Sequence, residues 1–111
     1  LRQLTNLESL VLVDTRVTDQ ISTVISELQA LRLLWLDGTA VGDACLNGIS
    51  VLPRLTRLHL NGTGITDNGL KCLASMPVLR KLHISETLVT SEGRKTLARE
   101  CPDLFIAPNT P

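Results

Sequence analysis

The chain has 111 residues, which suits one small domain, and its 43 % apolar content is enough to bury a core. Lysine and arginine balance aspartate and glutamate to a net charge of +0, so no global field selects nucleic acid, a membrane surface or an acidic ligand. Aromatic residues make up only 2 %, Trp35 and Phe105, which argues against a base-stacking surface for single-stranded nucleic acid.

Four segments align without a gap: LESLVLVDTRVTD from Leu7, LRLLWLDGTAVGD from Leu31, LTRLHLNGTGITD from Leu55 and LRKLHISETLVTS from Leu79, a period of 24 residues. Counting each start as position 1, residues 1–6 come first and belong to an earlier, partial repeat. Leu1 falls in the column of position 19 and Leu4 in that of position 22. Repeats 7–30, 31–54, 55–78 and 79–103 follow. Position 4 holds Leu10, Leu34, Leu58 and Leu82, and position 6 holds Leu12, Leu36, Leu60 and Ile84. This alternation predicts a short strand that buries positions 4 and 6 and exposes positions 3, 5 and 7.

After each strand comes a recurring threonine, Thr15, Thr39, Thr63 and Thr87, then an apolar position 11, Val17, Val41, Ile65 and Val89. Helices are predicted next. Ile21, Val24, Ile25 and Leu28 keep i, i+3, i+4, i+7 spacing, and Thr18-Asp19, Thr66-Asp67 and Thr90-Ser91 supply caps. Position 19 carries Ile25, Ile49, Leu73 and Leu97; position 22 carries Leu28, Leu52 and Met76. Pro53, Pro77 and Pro102 stand where each helix ends. LARECPDLF (Leu97–Phe105) resembles the earlier MPVL with one residue inserted, so that Cys101 takes the core column of Met76. From 104 to 111 the pattern is degenerate. Pro108 occupies a strand position and cannot donate to a central ladder, so Ala107–Pro111 reads as the array running out.

The pattern LxxLxLxxTx(V/I)TD resembles the leucine-rich repeat family and covers nearly the whole chain. That resemblance implies an α/β solenoid, a right-handed superhelix with a parallel sheet on its concave side and short helices on its convex side. One repeat cannot bury its own leucines, whereas stacked repeats share a continuous core. ITDNGLKCLASMPVL and LARECPDL look like the cysteine-containing repeats of F-box substrate receptors. That subclass usually places Cys where this chain has its threonines and has a longer turn before Ile-Thr-Asp. The 24-residue Thr version resembles repeats of protists and some bacteria. Many members of the family place Asn in the Thr column, where its amide bonds the turn and the next coil. A Thr hydroxyl can do part of that work, so Thr15, Thr39, Thr63 and Thr87 are expected to form a structural ladder.

The columns expected on the concave face are Ser9, Leu33, Arg57 and Lys81 at position 3, Val11, Trp35, His59 and His83 at position 5, and Val13, Asp37, Asn61 and Ser85 at position 7. Val11, Val13, Leu33 and Trp35 form an apolar patch. Arg57, His59, Lys81 and His83 form a basic one, with Asp37 and Asn61 beside them. An exposed apolar patch with a polar rim, containing Trp and Arg, marks a protein-binding surface.

Competing chemistry is weak. Asn61-Gly62-Thr63 reads as a glycosylation sequon, yet Thr63 belongs to the repeated Thr column and Asn61 to a variable slot. Asp19, Asp43 and Asp67 recur at position 13 without the paired carboxylates and Gly-rich turns of calcium-binding solenoids, which leaves helix or turn capping. His59 and His83, on neighbouring strands, are too few to define a metal site. Gly38, Gly42, Gly62 and Gly69 are read as turn residues. Cys45, Cys72 and Cys101 are odd in number, lack a CxxC and fall in different columns, as small buried hydrophobes do.

No catalytic constellation, metal site or cofactor is expected. The expected function is protein–protein interaction through the concave face, as part of a larger protein, with no nucleic-acid, membrane-inserted or small-molecule partner. Alternatives are a substrate-receptor module of a ubiquitin ligase, an extracellular or surface recognition domain, and a scaffold segment of a large assembly. Unpaired thiols favour an intracellular, cytoplasmic location. The missing initiator Met, signal peptide and N-terminal cap lead us to expect a fragment of a longer array.

Overall fold

The computed structural model describes residues 6–76 and 78–107. Leu1, Leu4, Pro77 and Pro108, singled out above, lie outside them. Five three-residue strands form one parallel sheet in sequence order: β1 (Ser9–Val11), β2 (Leu33–Trp35), β3 (Arg57–His59), β4 (Lys81–His83) and β5 (Phe105–Ala107). Between them run α1 (Ser22–Ile25), preceded by a 3-10 turn at Asp19–Ile21, α2 (Asp43–Ile49), α3 (Asp67–Leu73) and α4 (Ser91–Glu100).

Register follows the sequence period. Leu10 pairs with Leu34, Leu34 with Leu58, Leu58 with Leu82 and Leu82 with Ile106. The ladder runs beyond the strands. The Leu36 and Leu60 amides donate to the carbonyls of His59 and His83, each at 2.8 Å.

The core lies between sheet and helices. Leu34, Leu36, Leu58, Leu60, Leu82 and Ile84 point inward from the strands and meet Ile25, Ile49, Leu73 and Leu97 from the helices. Each such side chain contributes on the order of 1.5–3 kcal/mol through burial. Leu46 and Leu70 join them. Their column, position 16, escapes sequence inspection because Ser22 and Arg94 occupy it in the outer repeats. Leu7, Leu10 and Leu12 are only half-buried, since β1 has a strand neighbour on one side alone among the described residues.

The helix caps form as the sequence suggests: the hydroxyls of Thr18, Thr66 and Thr90 accept from the amides of Gln20, Asn68 and Gly93. Two expectations need correction. The segment from Phe105 to Ala107 is not degenerate; it forms β5 in full register, with Lys81 opposite Phe105 and His83 opposite Ala107. The interval from Lys81 to Phe105 is again 24 residues, with no net insertion, and the Phe105 amide continues the ladder by donating to the Arg80 carbonyl at 2.8 Å. Gly69 is not a turn residue but lies inside α3. A Cβ there would stand 2.3 Å from Asp43 Oδ1, so any side chain would force the carboxylate of the preceding repeat to shift.

Candidate interaction surface

Positions 3 and 5 of every strand project from the sheet face opposite the helices. The position 3 column runs Ser9, Leu33, Arg57, Lys81, Phe105 in direct register, and the position 5 column runs Val11, Trp35, His59, His83, Ala107. Val11, Val13, Arg57, Lys81 and Phe105 are exposed, while Leu33, Trp35, Asp37, Asn61 and His83 are half-buried. The residues read from the sequence as one surface therefore do come together on one side of the sheet.

His59 departs from expectation. It is only 8 % exposed, because its ring is sandwiched between neighbours on both sides. Trp35 stacks on it with centroids 4.2 Å apart and an interplanar angle of 20°, and His83 stacks on the other face at 3.9 Å and 8°. Strand pairing brings the three rings together, since identical positions on parallel neighbours lie about 4.8 Å apart. Desolvation lowers the pKa of both histidines from the ordinary value. His83 and Arg57 push His59 further down against the opposing pull of Asp37; Arg57 and Lys81 do the same to His83, again opposed by Asp37. Both imidazoles are thus neutral at pH 7. Near-parallel rings also direct their in-plane lone pairs side by side rather than toward one common point.

Position 7 forms a polar ladder that fastens neighbouring repeats. The Asn61 amide donates to Asp37 Oδ1 at 2.7 Å and Asn61 Nδ2 to Asp37 Oδ2 at 3.3 Å; the Trp35 indole N–H also donates to Asp37 Oδ2. One repeat further on, Asn61 Oδ1 accepts from the Ser85 amide at 2.7 Å and its hydroxyl at 2.9 Å. Asp37 and Asn61 therefore hold the sheet edge and orient Trp35. Both ends of the Asn61 amide are engaged between repeats.

The threonines act locally. The hydroxyls of Thr15, Thr39, Thr63 and Thr87 donate to the carbonyls of Leu12, Leu36, Leu60 and Ile84, three residues earlier, at 2.9, 2.7, 2.6 and 2.8 Å. Each closes its own turn rather than bonding the next coil. Coil-to-coil bonding falls to the aspartates. The Thr66 amide donates to Asp43 Oδ1 at 2.8 Å and its hydroxyl to Asp43 Oδ2; Thr90 and Asp67 repeat the arrangement. Gly42, which replaces the threonine in the second repeat, leaves Asp19 Oδ1 to receive both the Gly42 amide at 2.7 Å and the Cys45 amide at 3.2 Å. The row of aspartates caps helices, as read from the sequence, but the helix belongs to the following repeat.

Arg57 and Lys81 make no ion pair among the described residues, whereas Glu8 meets Arg32 at 3.5 Å at position 2. With Asp37 turned to internal donors, the middle of the face is cationic although the chain is neutral. Among the described residues no cluster of three metal-ligating side chains occurs. Cys45 is buried, and desolvation, with Asp19 nearby, pushes its thiol up to about 12. Cys72 and Cys101 are half-buried, and all three thiols are free.

Short parallel strands at a fixed residue interval, with a helix between each consecutive pair, define a solenoid of strand–helix repeats. The fold is that of a leucine-rich repeat solenoid. A family model described as Leucine Rich repeat matches residues 52–74, which contain the whole of β3. No curated protein matches the sequence. Similar solved structures include actin-binding site 2 of leiomodin-1 (TM-score 0.74, 14 % identity, 98 % of this chain and 78 % of that one). A leucine-rich repeat protein of Leptospira interrogans follows (TM-score 0.70, 19 % identity, 90 % and 25 %). An internalin of Listeria monocytogenes is also similar (TM-score 0.60, 17 % identity, 96 % and 36 %). The chain spans only about a quarter and a third of the last two. At these identities the likeness is one of fold.

Proposed function

We propose that this chain is a protein-interaction module that binds a partner through the concave face of its sheet, within a larger protein. The observation that carries this reading is the composition of that face: exposed Val11, Val13 and Phe105 flank Arg57 and Lys81, two cations that form no ion pair among the described residues. Exposed apolar area beside unpaired charge is stable in water only at a cost that a partner would remove. Half-buried Trp35, fixed by Asp37 and His59, offers a rigid aromatic anchor of the kind that dominates interface energetics. The leiomodin-1 neighbour is itself an actin-binding site, which supports an interaction role for the fold but does not nominate actin here.

Three free thiols support an intracellular setting. No feature of the surface favours catalysis. The test is affinity capture with the full-length protein, repeated with Trp35→Ala plus Arg57→Glu. The double variant is expected to lose its captured partner, with the loss at Trp35 on the order of 2 kcal/mol, while circular dichroism stays unchanged. Undiminished capture defeats the assignment.

A further inference from the structure

The spacing of chemistry across the strands suggests what kind of segment the face accepts. Along position 3, Leu33, Arg57, Lys81 and Phe105 stand on four successive strands in direct register, an apolar–basic–basic–apolar line. Half-buried Trp35 widens the apolar end beside Leu33, and its partner Asp37 is occupied by the indole N–H and the Asn61 amide. Among the described residues neither Arg57 nor Lys81 forms an ion pair.

Strand spacing selects the partner's backbone. Four strands cover three spacings of roughly 4.8 Å, about 14 Å in all. An α-helix laid across the strands advances about 5.4 Å per turn, so three turns cover roughly 16 Å and one side chain per turn meets each strand. An extended segment presents a side chain to the same face every two residues, about 6.6 Å, and three such steps cover roughly 20 Å. The helix stays within about 2 Å of register where the extended chain drifts by about 6 Å.

We infer that the occupant of this face is an acidic amphipathic helix of a partner protein, lying across the strands and presenting apolar, acidic, acidic and apolar side chains at i, i+4, i+7 and i+11. The carboxylates would meet Arg57 and Lys81, and the apolar residues would meet Leu33 with Trp35 at one end and Phe105 at the other. Successive positions on one helix face are separated by about one turn, which is why the pattern falls at these intervals. The inference rests on the concave-face reading above and adds the shape and charge of the ligand.

The probe is a synthetic alanine–glutamine helix carrying Leu, Glu, Glu and Phe at those four positions. Controls are a scrambled peptide of the same composition and a version with Lys for Glu. Affinity is read from Trp35 fluorescence, and the contact surface from amide chemical shifts. The patterned peptide is expected to bind at least tenfold tighter than the scrambled one, and to weaken as salt screens the charges. Arg57→Glu with Lys81→Glu, both exposed and so without consequence for folding, is expected to reverse the preference in favour of the Lys peptide. Equal binding of patterned and scrambled peptides, or none by either, overturns the helix inference. If equal binding still shifts amides of β2–β4, the concave-face reading survives that failure; shifts confined to α2–α4 remove both.

Discussion

Asp67 accepts both the amide and the hydroxyl of Thr90, the residue 23 positions further on that caps the next helix. These bonds hold its carboxyl below the ordinary carboxylate pKa, the hydroxyl contributing most. A depressed folded-state value means stabilisation that is complete above the unfolded pKa, near 3.9, and lost as pH falls through the folded value. Urea midpoints measured from pH 6 down to pH 2.5 are expected to decline below about pH 4, with a shallower decline in Asp67→Ala. Parallel curves for the two proteins would mean that this bond does not couple to folding.

The stacked histidines impose a second pH dependence. Both have lowered folded-state pKa values, so the unfolded chain binds more protons on mild acidification. Stability is therefore complete above about pH 6.5 and lost as pH falls below it toward the folded values. Substituting both rings, His59→Phe with His83→Phe, keeps the stack and removes the titration. Thermal midpoints at pH 7.5 and 5.5 should differ in the parent and converge in the double variant.

Position 8 of every repeat has positive φ: Asp14 at 55°, Gly38 at 71°, Gly62 at 70° and Glu86 at 56°. Only glycine adopts this region without cost. Glu86→Gly is accordingly expected to raise stability by about 1 kcal/mol and Gly62→Ala to lower it by about 1 kcal/mol. Chemical denaturation distinguishes the signs directly, and a stabilising Gly62→Ala would show that the turn relaxes to another conformation.

Thr63 tests whether the threonine column matters for its hydroxyl or its shape. Its side chain is 5 % exposed and donates to the Leu60 carbonyl. Thr63→Val preserves the branched shape and leaves that carbonyl without this donor, at a cost of about 1–2 kcal/mol. A neutral or stabilising result in denaturant unfolding would assign the column to packing alone.

What the sequence made legible was what recurs. Columns filled by the same residue class in every repeat, such as Leu34, Leu58 and Leu82, announced both strand and core. Leu46 and Leu70 went unseen because Ser22 and Arg94 interrupt their column. The left-handed turn at position 8 was hidden by its mixed occupants, Asp14 and Glu86 standing beside two glycines. The Asp19, Asp43 and Asp67 row was visible, but its reach into the next repeat depends on how coils stack. The candidate face was located by alternation, whereas the burial of His59 arises from rings contributed by separate strands. Pro108, which cannot donate to a ladder, obscures β5, although the spacing of Phe105 from Lys81 still equals one repeat.

The most direct test of the concave face as the binding surface is site-specific photo-crosslinking in the full-length protein. A benzophenone side chain is placed either at Arg57 on β3 or at Lys71 on the convex α3, both exposed. Crosslinks to a copurifying protein are predicted from position 57 and not from position 71. Crosslinks from position 71 with none from position 57 would contradict it.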